Sequence, residues 1–147
     1  MEIKVVRSIL ESSERAAERI RAMLNEHGIY MINLMGSPGA GKTTLITALA
    51  RGLGDLRLGV IEGDVETTMD AEVMARLGLP VVQINTSIFG GNCHLKPTMV
   101  ESALNDMPLR NLDLVIVENI GNLICPASFD IGADLAMLIL SIPEGED

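Results

Sequence analysis

The chain has 147 residues, which is enough for one domain with a sizeable hydrophobic core. Hydrophobic residues make up 48% of the sequence, aromatic residues only 2%, and the formal net charge is −9. This acidic balance argues against nucleic acid or an anionic membrane surface as the main partner. No apolar run approaches the roughly 18 residues of a membrane span, and the N-terminus lacks a basic-then-apolar signal pattern. We therefore expect a cytoplasmic protein.

The first predicted element is an amphipathic helix over residues 8–27. Ser8 and Glu11 have the spacing of a capping box, and Gly28 is well placed to end the helix. Apolar residues can share one face of this helix, and we interpret its charged face as a solvated surface without chemistry. The apolar set is Ile9, Ala16, Ile20, Met23 and Leu24, and the charged set is Glu14, Arg15, Glu18, Arg19 and Arg21.

Residues 36–44 fit the phosphate-binding pattern of a Gly, four residues and Gly-Lys-Ser/Thr. The apolar run over residues 29–35 predicts a buried strand before this stretch, and residues 43–50 predict a helix after it. Together they give the strand, loop and helix that the pattern requires; the alternative is an ordinary Gly-rich turn. We assign the phosphate site to Gly36, Ser37, Pro38, Gly39, Ala40, Gly41, Lys42, Thr43 and Thr44.

The chemistry of such a loop favours a polyphosphate ligand. Its glycines let successive backbone N–H groups face phosphate oxygens, and the N-terminus of the following helix adds partial positive charge. Lys42 is predicted to reach the β- and γ-phosphates, and the Thr43 hydroxyl to ligate Mg²⁺. The sequence therefore predicts binding of a nucleoside triphosphate.

Strands and helices alternate through the rest of the chain. We predict strands over residues 56–61, 81–84 and 114–117, a helix that Thr67 opens and that runs over residues 70–77 to Gly78, and a helix over residues 97–105. Propensity leaves the type of residues 134–142 open, and we assign a strand because one is due in the alternation. The alternation predicts an α/β fold of three layers, with a mainly parallel sheet and helices on both faces.

Acidic residues follow two of these strands, at the edge of the sheet where ligands of such folds gather. Asp64 and Glu118 are candidate Mg²⁺ ligands, and Gly121 is a candidate to donate a backbone N–H to a γ-phosphate. The alternatives are a turn residue at Asp64 and a solvated carboxylate at Glu118. Asp70 either caps a helix N-terminus or orders Mg²⁺ or the attacking water, and both interpretations stay open.

Cys93, His94 and Cys125 are predicted to lie in two loops at the same edge. Two cysteines are too few for a disulfide framework, so metal binding or plain burial is favoured. Thiolate and imidazole suit Zn²⁺, Ni²⁺ or Cu⁺ rather than Mg²⁺. One chain offers three such ligands, one short of a closed zinc site, so water, a carboxylate or a second chain would complete it.

With these residues the chain resembles the HypB family of nickel-insertion GTPases, P-loop proteins of the SIMIBI type that mature hydrogenase. The resemblance runs from about residue 9 to the end of the chain. It rests on motifs at residues 33–44, 60–64, 70–72, 83–86, 93–95, 118–126 and 141–147. It implies a P-loop GTPase domain over residues 29–147, with residues 1–28 packing on it as a helical segment.

The resemblance also implies roles and partners. The family's Zn²⁺ or Ni²⁺ ligands at the interface of a GTP-loaded homodimer match Cys93, His94 and Cys125 here. The acidic residues that serve Mg²⁺ and the switch regions match Asp64, Asp70 and Glu118; Lys42 would stabilise the transferred phosphoryl group and Asp70 would position water. The implied partners are a hydrogenase large-subunit precursor and other maturation proteins.

Three features depart from the family pattern. The loop over residues 87–92 is longer, and Lys96-Pro97 stands where Asp-Ala is common, so the geometry of the metal site is expected to be modified. The chain also ends before the guanine-reading Asn-Lys-x-Asp motif, and we expect a C-terminally incomplete domain. Two alternative functions remain, a small-molecule P-loop kinase and a nonenzymatic metal-binding remnant.

Overall fold

The computed structural model describes residues 2–36, 41–63, 68–84, 95–119 and 130–140, with side chains from residue 12 and, in the third helix, from residue 72. The elements in chain order are α1 (Glu2–His27), β1 (Tyr30–Gly36), α2 (Lys42–Gly52), β2 (Leu58–Glu62), α3 (Thr68–Arg76), β3 (Val81–Gln83), α4 (Pro97–Asn105), a short 3-10 helix (Leu109–Asn111), β4 (Leu114–Glu118) and β5 (Leu135–Ile139).

The five strands form one parallel sheet in the order β3-β2-β4-β1-β5. Successive residues of a strand point to opposite faces, so near-continuous apolar strands feed two cores. Met31 of β1 joins the cluster that holds residues of α1 and α4, whereas Ile32 and Leu34 join the cluster that holds residues of α2 and α3. The predicted three-layer α/β fold is confirmed.

Most predicted elements are found close to their predicted bounds. The helix over residues 97–105 and the final strand are both present, and Gly28 ends α1 at a φ of +66°. The start of α1 was predicted wrongly: the helix begins at Glu2, so Ser8 lies in its interior and its capping box does not mark an N-terminus. Serine and glutamate three residues apart also occur within helices, and Glu2, Lys4 and Arg7 before them are residue types that favour a helix.

The apolar face of α1 packs on the sheet, with Ala16, Ile20 and Leu24 buried. Its charged face is exposed as predicted, and two arginines on it also form ion pairs with other parts of the chain. The Arg19 guanidinium donates two hydrogen bonds to the Glu101 carboxylate of α4, at 2.7 and 3.0 Å. Arg21 pairs with Asp130. These ion pairs fix the outer side of α1 to two other parts of the chain.

The Arg19–Glu101 pair predicts a measurable pH dependence of stability. Hydrogen bonds from Arg19 hold the pKa of the Glu101 carboxyl below its ordinary value. A carboxyl with a lowered folded-state pKa stabilises the fold above its unfolded pKa of about 4.3, and the contribution is lost as pH falls through the folded value. The Glu101→Gln variant should therefore be less stable than the unsubstituted protein at pH 7. Its free energy of unfolding should also fall by less when the pH is lowered.

Urea denaturation at pH 7 and pH 3 checks this prediction, with Glu72→Gln as the control. Glu72 is an exposed glutamate on α3. The control should follow the unsubstituted protein at both pH values. Equal losses of stability on acidification in the Glu101→Gln variant and the unsubstituted protein would contradict a role for this pair.

Candidate nucleotide-binding site

The junction of β1 and α2 has the strand–loop–helix form that the phosphate-binding pattern predicts. β1 ends at Gly36, and α2 starts at Lys42 directly after Gly41. Gly41 has a φ of +103°, in the left-handed region that favours glycine, which explains why this residue type precedes the helix. The intervening Ser37, Pro38, Gly39 and Ala40 lie outside the described residues.

Lys42 is buried at the carboxyl edge of the sheet, with 4% of its surface exposed. Its ammonium Nζ donates to the carbonyl oxygen of Gly36 at 2.9 Å and to that of Asn119 at 3.4 Å. The first carbonyl ends β1 and the second follows β4, so the charge is held where two neighbouring strands end. A buried ammonium between neutral carbonyls is a strong donor for an anion that reaches it.

The N-terminus of α2 adds to the positive potential at this point. Its first turn carries no acidic side chain, so the helix dipole there is not offset by a carboxylate of the helix itself. Thr43 is half-buried, and its carbonyl accepts a hydrogen bond from the Thr47 hydroxyl at 2.9 Å. Thr44 is exposed. The arrangement suits a phosphate group.

Two buried glutamates lie side by side near this junction. Glu118 ends β4 with 2% of its surface exposed, and Glu62 ends β2 with none exposed. They are register partners on adjacent strands, so both point to the same face of the sheet. Leu34 is the register partner of Glu118 in β1 and belongs to the core beneath α2 and α3. Both carboxylates therefore lie on the α2 side.

Glu62 was not among the predicted site residues. The sequence pattern that pointed to Glu118 is also present at Glu62, because both glutamates end a buried five-residue strand. Gly63 connects the two strand ends, since its backbone N–H donates to the Glu118 carbonyl at 2.8 Å.

Several predicted site residues belong to parts of the chain whose side chains the structure does not describe. Asp64, Cys93, His94, Gly121 and Cys125 lie outside the described residues, and Asp70 is in the first turn of α3 without a described side chain. Within the described ranges, no group of three or more His, Cys, Asp or Glu side chains could hold a metal ion. In the same ranges no helix is long and apolar enough to cross a membrane. The metal ligands therefore remain predictions.

A parallel sheet with helices on both faces, a glycine-preceded helix after its first strand and a buried lysine at that junction define a P-loop nucleotide-binding domain. Residues 30–136 match the family described as CobW/HypB/UreG, nucleotide-binding domain, and the chain belongs to this family. This confirms the resemblance seen in the sequence.

Within the family, the similarity extends to HypB proteins along nearly the whole chain. The chain is 41% identical to the hydrogenase/urease maturation factor HypB of Helicobacter hepaticus, over 99% of this chain and 60% of the relative. It is also 41% identical to the probable hydrogenase maturation factor HypB of Methanocaldococcus jannaschii, over 99% of this chain and 65% of the relative. The chain thus spans about two thirds or less of these relatives' length.

Two solved structures are similar in fold and sequence. The crystal structure of HypB from Helicobacter pylori in complex with nickel superposes with a TM-score of 0.84 at 37% identity, covering 92% of this chain and 63% of that one. HypB from Archaeoglobus fulgidus gives a TM-score of 0.83 at 36% identity, covering 93% of this chain and 66% of that one.

Proposed function

We propose that the chain is the nucleotide-binding part of a GTP-hydrolysing factor that binds nickel and delivers it for hydrogenase maturation. The observation that carries the proposal is the buried Lys42 ammonium at the ends of β1 and β4, in a chain 41% identical to HypB relatives. Lys42 is the group that would meet the β- and γ-phosphates of the nucleotide.

The residues at this edge fit Mg²⁺ as the nucleotide's companion ion. Mg²⁺ prefers hard oxygen donors, and Glu118 ends β4 directly before Asn119, whose carbonyl contacts Lys42. We assign Mg²⁺ to Thr43, Asp64, Asp70 and Glu118. When bound, the ion would neutralise charge on the phosphate oxygens.

This chain's own residues would promote GTP hydrolysis chiefly by stabilising negative charge. Lys42 would stabilise negative charge on the transferred phosphoryl group, and the backbone N–H groups of the loop and of Gly121 would donate to its oxygens. Asp70 would position the attacking water. The α2 dipole acts in the same direction as Lys42 because its positive end faces the loop.

Nickel or zinc would be the cargo of Cys93, His94 and Cys125. A relative from Helicobacter pylori has been crystallised in complex with nickel, and thiolate and imidazole donors suit both metals. Three ligands from one chain leave room for a second copy, and we propose that GTP favours the homodimer that completes the site. The proposed recipients are a hydrogenase large-subunit precursor and other maturation proteins in the cytoplasm.

Nucleotide hydrolysis with and without metal tests this function. We expect phosphate release from GTP to exceed that from ATP, and Ni²⁺ or Zn²⁺ to change the GTP rate. ATP consumption that appears only with a small-molecule phosphoacceptor would favour a kinase instead. Bound metal together with no hydrolysis of either nucleotide would favour a nonenzymatic remnant and overturn the proposed activity.

A further inference from the structure

Asn119 joins three parts of the chain at the carboxyl edge of the sheet. It follows β4 directly, and only 1% of its surface is exposed. Its side-chain Nδ2 donates to Asn33 Oδ1 of β1 at 2.9 Å, and its Oδ1 accepts from the Leu95 backbone N–H at 3.4 Å. Its own N–H donates to the Leu34 carbonyl at 2.9 Å. Its carbonyl is the second acceptor of the Lys42 ammonium.

These contacts place one residue between the phosphate-binding lysine and the chain that enters α4. Leu95 is completely buried, two residues before α4 begins, and it directly follows Cys93-His94 in the sequence. Leu95 also packs close to Gly63, because a Cβ on that glycine would lie 2.6 Å from Leu95 Cδ1. A shift of Asn119 would therefore change the hydrogen bond that the Leu95 amide donates to the Asn119 side chain.

Phosphate binding should weaken the hydrogen bond between the Lys42 ammonium and the Asn119 carbonyl. An ionised phosphate oxygen is a stronger acceptor for an ammonium than a neutral carbonyl is. The Lys42–Asn119 contact, at 3.4 Å, is longer than the Lys42–Gly36 contact at 2.9 Å and is the easier of the two to give up. Its loss would remove the link from Lys42 to Asn119 while the hydrogen bonds of Asn119 to β1 and to Leu95 remain.

We propose that Asn119 is a positioning residue that transmits phosphate binding at Lys42 to the backbone at Leu95. The inference rests on the proposed function, because it needs a nucleotide at the phosphate loop. It deepens that function by naming the buried residue through which the nucleotide would act on the chain beside Cys93-His94.

Hydrogen–deuterium exchange of the Leu95 amide tests the proposal. Exchange is measured with and without a saturating nonhydrolysable GTP analogue and Mg²⁺, with bound nucleotide quantified in each sample. In the unsubstituted protein we expect nucleotide to change the exchange rate at Leu95 by about twofold or more. In Asn119→Ala, which lacks the acceptor for Leu95, that change should disappear. Asn119→Asp, which keeps an acceptor oxygen, should restore it.

Asn33→Ala separates positioning from simple stabilisation of the core. It breaks the same side-chain pair but leaves the Asn119 acceptor for Leu95 in place. We expect it to keep the nucleotide-dependent change, whereas a merely structural role predicts that both alanine variants behave alike. A full response in Asn119→Ala, or no response at Leu95 in nucleotide-loaded protein, would overturn the inference alone. Protein that binds no nucleotide would overturn the proposed function and this inference together.

Discussion

Replacing Lys42 by methionine is expected to lower the rate of GTP hydrolysis by about 10²- to 10³-fold, the usual effect of losing one donor to developing charge. Methionine nearly preserves the volume of the buried side chain but removes the ammonium that contacts Gly36 and Asn119. The affinity for nucleotide should fall as well, since the β- and γ-phosphates lose their cation. Steady-state phosphate release and equilibrium binding of a GTP analogue measure both effects.

Arg51→Ala provides the control for charge on the same helix. Arg51 is exposed in the last turn of α2, at the opposite end from the phosphate loop. Its loss should leave turnover and nucleotide affinity within about twofold, as for surface substitutions away from a site. Lys42→Met protein that keeps its helical circular dichroism and still hydrolyses GTP normally would show that Lys42 is only a structural cation.

Gly132→Ala is expected to destabilise the fold by about 2–4 kcal/mol, through overpacking and left-handed backbone strain. Gly132 has a φ of +82°, and a Cβ there would lie 2.8 Å from the Ala17 carbonyl oxygen and 2.8 Å from Ile20 Cγ2 of α1. Because the nearest of these neighbours include helix backbone, rotation of a side chain cannot relieve the contact. The segment must move away from α1 or the helix must shift.

Substitutions at two other glycines distinguish backbone strain from overpacking as the cause of that loss of stability. Gly28 also has a positive φ, of +66°, but a Cβ there would meet nothing within 4 Å; Gly52 has open space and no positive φ. Gly28→Ala should therefore cost about 1–2 kcal/mol, and Gly52→Ala should be neutral or slightly stabilising. Urea denaturation gives the three values. Equal effects at Gly28 and Gly132 would show that α1 does not constrain the segment at Gly132.

The elements that carry strong local patterns were predictable from the sequence. Residues 97–105 combine an initial proline with apolar residues at helical spacing, and α4 has those bounds. Continuous apolar runs marked the interior strands β1 and β4. The last strand, β5, was assigned from the alternation rather than from propensity, because its leucines and alanine suit a helix equally well. The start of α1 was not predictable from the Ser8–Glu11 spacing, because the same spacing occurs in the interior of this helix.

The site was predictable only where a motif spans a few consecutive residues. Gly41 and Lys42 were found because loop chemistry fixes their spacing. The register pairing of Glu62 with Glu118 depends on which strands are neighbours, and the order β3-β2-β4-β1-β5 is not encoded in any short stretch. The Asn33–Asn119 pair joins residues 86 positions apart for the same reason. The roles of Cys93 and Cys125 stay predictions.

The most direct test of the proposed function is a titration with Ni²⁺ and Zn²⁺, with mass determination in solution, with and without a nonhydrolysable GTP analogue. The unsubstituted protein, Cys93→Ala and His27→Ala are compared; His27 is the other of the two histidines and lies at the end of α1. We predict metal binding that is lost in Cys93→Ala, retained in His27→Ala, and altered in stoichiometry by nucleotide-driven dimer formation. Metal binding unchanged by Cys93→Ala, or indifferent to nucleotide, would contradict the proposal.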